Sequence, residues 1–77
     1  MKFEICRGSI HKDRHVICRE DEFYQAVPQE VRCRGPWQVL FRGEVMALRP
    51  EYRHALAKDG YCYIETHPVG FSPTDND

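Results

Sequence analysis

The stretch "RGPWQVLFRGEVMALRP", residues 34–50, decides the fold. At helical spacing, Trp37, Leu40, Phe41, Val45 and Leu48 fall on one face. Pro36 then sits in the first turn, where a missing amide donor is tolerated. At strand spacing, "WQVLF" and "EVMAL" flank a turn at Arg42-Gly43. Gly43 counts against the helix, because a glycine inside one costs about 1 kcal/mol relative to alanine. The single apolar face favours a helix over 36–48, with the hairpin as the alternative.

The flanking segments are easier to read. "KFEICRGSI" and "RHVICR" are two strands joined by the turn-rich "HKDR". Phe3 and Ile5 share one face of the first, while Glu4, Cys6 and Gly8 share the other. Val16 and Cys18 pair on one face of the second, and Ile17 points away. In "REDEFYQAVPQEVR" the acids Glu20, Asp21 and Glu22 suit the first turn of a helix, where the macrodipole favours negative charge. Phe23, Val27 and Val31 recur every four residues. Pro28 has no amide to donate and clashes with a preceding turn, so it splits this segment into two short helical pieces and opens the second.

"RPEYRHALAKDG" is a helix that starts at Pro50, carries Tyr52, Ala55 and Leu56 as its stripe, and closes at Gly60 as a left-handed cap. "YCYIET" follows as a strand, with Cys62 and Ile64 on one face and Tyr61 and Tyr63 on the other. The predicted architecture is α+β: a small antiparallel sheet, made of an N-terminal hairpin plus a C-terminal strand, packed on short helices along one face. Residues 1–67 form the single domain, and 68–77, "PVGFSPTDND", read as a flexible tail.

Seventy-seven residues make one small domain,. A core of this size supplies about 3–5 kcal/mol net, so a metal, a disulfide or a partner subunit would be a useful second stabiliser. No apolar run approaches the roughly 20 residues that span a bilayer. "MKFEICRGS" alternates polar and apolar residues and lacks the continuous apolar core of a signal peptide. A cytoplasmic location is expected, with reduced thiols at Cys6, Cys18, Cys33 and Cys62.

Cys6, His11, His15 and Cys18 lie within thirteen positions and satisfy the ligand count of a zinc site,. One hairpin register would even set Cys6 opposite Cys18. The pattern lacks the usual Cys-x-x-Cys knuckle, so buried strand cysteines beside solvated turn histidines are the better reading. No cofactor is expected. The five glycines are scattered, with no phosphate-cradling run. Cys33, between Arg32 and Arg34, is the most reactive-looking thiol if exposed. No base and orienting group accompany it, and a domain this small rarely encloses a substrate pocket. The chain does not read as an enzyme, and no small-molecule substrate or membrane partner is evident.

A binding role remains. Net charge is −1, yet residues 31–58 hold six basic side chains against two acidic ones. Arg42, Arg49 and Arg53, with nearby aromatics, are the candidates for nucleic-acid contact. Tyr61, Tyr63 and Trp37 are the candidates for a protein interface, because a sheet covered on one side leaves an aromatic face open. The preferred expectation is a small non-catalytic interaction or regulatory module, with self-association as one form of it. Nucleic-acid binding is the alternative.

Overall fold

The structure, a computed structural model, describes residues 1–65. The proposed tail, 68–77, lies outside the described residues. Two N-terminal strands, β1 (Lys2–Gly8) and β2 (His15–Arg19), form the expected hairpin. Two one-turn helices follow, α1 (Phe23–Ala26) and α2 (Gln29–Arg32). The chain continues through β3 (Trp37–Glu44), a 3-10 turn at Val45–Ala47, α3 (Pro50–Asp59) and β4 (Tyr61–Ile64). The sheet is antiparallel throughout, in the order β3-β1-β2-β4.

Residues 36–48 are therefore neither the favoured helix nor a hairpin. They supply a fourth strand that runs straight through Arg42-Gly43 and pairs with the whole of β1. Three features of the chain explain this. The run holds aromatic and branched residues that suit a pleated surface. Gly43 leaves room for the Phe3 ring: a Cβ there would lie 3.1 Å from the ring edge. Leu40 is an extra residue opposite β1, a bulge that falls between the pairs Ile5–Phe41 and Cys6–Val39,. The bulge moves Trp37 and Val39 to one face of the sheet and Phe41 to the other, so the apolar positions alternate with a break that mimics helical spacing.

The sheet carries helices on both faces, not one. On the first face Phe3, Ile5 and Ile17 meet Leu48, Tyr52 and Leu56, so α3 packs there, with Val45, Cys62 and Ile64 at its margin. On the second face Val16 and Cys18 meet Val27 and Val31, with Phe23, Trp37, Tyr61 and Tyr63 around them. The four-residue spacing of Phe23, Val27 and Val31 thus marks a real apolar stripe, broken at Pro28 as expected. Glu20, Asp21 and Glu22 do not lie in the first turn of α1. They form the turn before it, where Asp21 takes φ 65°.

Gly60 ends α3 at φ 86°, and its amide donates to Leu56 O at 2.9 Å. The Arg19 guanidinium donates to the same carbonyl at 3.0 Å, which ties the end of α3 to β2. The turn after β1 folds closely over Gly8, where a Cβ would stand 2.4 Å from His11 O. Gly8→Ala must push that backbone aside and is expected to cost about 1–3 kcal/mol. Thermal denaturation measures this, and an unchanged melting temperature would contradict the packing of the turn.

Among the described residues no helix is long and apolar enough to cross a membrane.

Candidate functional site

The α1–α2 segment covers the second face unevenly. Its apolar stripe sits over β2 and β4, and the part of the face made by β1 and β3 is left as the floor of an open cleft of about 600 Å³. Glu4, Cys6, Trp37 and Val39 form the floor, while Phe23, Tyr24, Arg32 and Cys33 form the opposite wall. A cavity of this size was not expected from so short a chain. It exists because two one-turn helices are too short to span four strands.

The wall is fixed by hydrogen bonds that tie the end of α2 to the strand after it and to the end of α1 before it. Trp37 Nε1 donates to Arg32 O at 2.9 Å, and Arg32 Nε donates to Val27 O at 2.9 Å. The Arg32 guanidinium lies 5.6 Å from the centroid of the Tyr24 ring, which is 78% exposed. Glu4 is buried in the floor and accepts from Arg42 Nε at 3.3 Å; the same nitrogen lies 3.6 Å from Glu20.

The backbone of β3 adds a second feature. Val45 N–H donates to Met1 O at one end of the β1–β3 ladder, and Ser9 N–H donates to Pro36 O at the other. Hydrogen bonding alternates along an antiparallel pair, so the backbone groups of Arg42 and Glu44, and beyond the bulge those of Trp37 and Val39, point away from β1. β3 is a sheet edge, so no strand among the described residues covers these groups. The edge is apolar as well as uncovered by any strand among the described residues: Val39 is 43% exposed and Phe41 37%. An uncovered strand of this length is a template for pairing with another chain.

The protein-contact candidates fall close together but differ in setting. Trp37 and Tyr63 touch edge to face with centroids 6.3 Å apart, and Tyr61 packs in the same cluster. All three are half-buried at the margin of the cluster that α1 and α2 complete. The open aromatic face expected of a one-sided sheet is thus replaced by a second core, and only Trp37 also lines the cleft. The basic candidates are divided between the two faces. Arg42 meets Glu4 and Glu20 on the cleft face, whereas Arg49 caps the start of α3 and Arg53 lies within it on the other, where Arg49 pairs with Glu51 at 3.2 Å.

The four zinc candidates are not gathered either. Cys6 pairs with Val16 and Cys18 with Glu4, so the two cysteines are offset in register rather than opposite. Both face the cleft side, whereas His15 points to the α3 side, with Nδ1 3.2 Å from Asp13 O,. His11 is exposed in the turn. Among the described residues no three groups of metal-ligating type converge.

Burial drives the Cys6 thiol up to about 12, with Glu4 adding to the rise and Arg42 opposing it. Burial likewise drives Cys18 to about 12, helped by Cys6, Glu4 and Glu22. Raised this far, both thiols are poor nucleophiles at neutral pH,. Cys33 caps α2, is exposed, and donates to Glu30 O at 3.4 Å. An aromatic disulfide reagent is expected to label Cys33 at once and to reach Cys6 and Cys18 only after unfolding. Both buried thiols ionise at higher pH in the folded chain than in the unfolded one, near 9. Their contribution to stability is therefore whole below pH 9 and declines as the pH rises toward 12. Rapid labelling of Cys6 or Cys18 at neutral pH would contradict this placement.

The sequence signal for the β3 edge was present but divided. Val39 and Phe41 lie in a run whose spacing also suits a helix, and the cleft depends on helix lengths that only the packing of α1 and α2 reveals. Comparison with protein-family models, with curated proteins and with solved structures finds no match to this chain.

Proposed function

We propose that this chain is a non-catalytic protein-interaction module whose contact surface is the outer edge of β3 together with the adjoining cleft. The observation that carries this reading is the edge strand itself, whose outward amides and carbonyls are flanked by the exposed side chains of Val39 and Phe41. An extended segment laid along β3 would gain main-chain hydrogen bonds from the edge and place alternate side chains over the cleft, which is recognition by strand addition. Trp37 and Tyr24 would line the path of those side chains, and aromatic residues of this kind are common anchors at interfaces. Tyr61 and Tyr63 would act indirectly, by holding Trp37 and α1 in place.

Arginines on opposite faces, two of them already paired with carboxylates, do not make the continuous basic surface that phosphate binding needs,.

Val39→Pro tests the reading. The outward amide of Val39 makes no bond to β1, and proline is tolerated on a sheet edge, so the fold survives while the edge loses a donor. Native mass spectrometry of the protein purified under gentle conditions is expected to show a complex that persists in high salt and is lost in Val39→Pro. A complex equally abundant in both proteins would overturn the proposal. So would salt-sensitive capture of a mixed-sequence single-stranded oligonucleotide that Val39→Pro leaves intact.

A further inference from the structure

We infer that the segment received by the β3 edge is β3 of a second copy of this chain, paired antiparallel about a two-fold axis between Leu40 and Phe41. This rests on the edge reading above and names its occupant. The observation behind it is the position of the bulge. In a regular strand the outward-facing residues are evenly spaced. Here the extra residue shifts the alternation by one, so the outward set is Trp37, Val39, Arg42 and Glu44,.

That set is symmetric about its own centre. Reversing the strand places Trp37 of one copy opposite Glu44 of the other, and Val39 opposite Arg42, so every outward residue meets an outward residue. No other self-register matches all four. Each pairing exchanges two main-chain hydrogen bonds, and the two bulges coincide at the axis instead of obstructing each other.

The side chains agree with this register. Trp37, Val39, Arg42 and Glu44 all belong to the cleft face, so the two clefts join across the seam. No like charges stand opposite one another, as they would if the axis passed through Arg42. Arg42 is an edge charge of the kind that discourages pairing, but Glu4 at 3.3 Å and Glu20 at 3.6 Å already neutralise it within its own chain. Leu40 meets Phe41 at the centre, and the exposed parts of Val39 and Phe41 extend the apolar contact onto both faces. The product is a continuous eight-stranded sheet with one β4 at each end.

Light-scattering mass measured across a concentration series tests the inference, using the wild type, Val39→Pro and Val39→Lys. The wild type is expected at the mass of two chains. Val39→Pro is expected as a monomer with an unchanged far-UV circular dichroism spectrum. Val39→Lys keeps every backbone donor but replaces an apolar seam contact with a hydrated ammonium at two symmetric places, weakening the dimer about tenfold. Should Val39→Pro fail to fold, Val39→Lys carries the test alone.

A wild-type monomer at the highest concentration overturns self-pairing. The edge reading then survives only if native mass spectrometry finds a different protein lost in Val39→Pro. A dimer that neither substitution weakens overturns both the register and the edge.

Discussion

Phe3→Ala is expected to leave the chain largely unfolded at room temperature. Phe3 is fully buried at the centre of the α3-side cluster, on a strand that is paired on both sides. Its ring approaches Phe41 with centroids 6.0 Å apart and lies over Gly43, whose missing side chain makes the space. Truncating a buried phenylalanine removes its transfer energy and leaves a cavity, at a combined cost of about 3–5 kcal/mol. That is the whole net stability of a domain this size. Urea denaturation followed by circular dichroism measures the loss. A cost below about 1 kcal/mol would mean that β3 does not pack against Phe3 as described.

Arg42→Ala is expected to produce the second large loss, by a different route. The Glu4 carboxylate is buried in the cleft floor, and the Arg42 guanidinium is its cation. Removing one partner of a fully buried pair costs about 3–5 kcal/mol, because the other charge is left without compensation. Arg42 is itself 54% exposed at the side chain, so water can reach part of the site and the expected cost falls to about 2 kcal/mol,. Glu4→Gln combined with Arg42→Ala should recover most of that loss. A double-mutant cycle gives the coupling directly. Additive effects of the two substitutions would show that the pair contributes nothing to stability.

These two residues also show where the sequence could and could not be read. The hairpin faces, the break at Pro28, the α3 stripe and the Gly60 cap were legible because each follows from a local rule: alternation, a missing amide, four-residue spacing, or a positive φ. The faces of Tyr61, Cys62, Tyr63 and Ile64 follow from the same alternation and agree with the two core clusters. Residues 36–48 were not legible, because the bulge at Leu40 interrupts the strand period just where Trp37, Leu40 and Phe41 imitate a helical one. In sequence alone, Gly43 reads as a defect in a helix. Its role appears only beside Phe3, a residue forty positions away in sequence that pairing with β1 brings opposite.

The site depends on the same strand. With three strands and helices on one side, Tyr61 and Tyr63 looked open. A fourth strand and a second helical layer bury them partly and move the exposed apolar surface to the β3 edge. The four zinc candidates are held apart for a related reason. Their spacing along the chain was suggestive, but alternation along β2 sends His15 to the face away from Cys18,.

Amide hydrogen exchange on the wild-type protein, resolved by residue, tests the role of the β3 edge most directly. The inner amides of Phe41 and Gly43 face β1 and serve as the internal standard for a paired strand,. If the edge is paired with a second copy, the outward amides of Trp37, Val39, Arg42 and Glu44 will exchange as slowly as that standard. In Val39→Pro the remaining three will become fast. If all four exchange in the wild type as quickly as the exposed turn amide of Lys12 while Phe41 and Gly43 stay protected, the β3 edge is bare in solution and the self-pairing account is wrong.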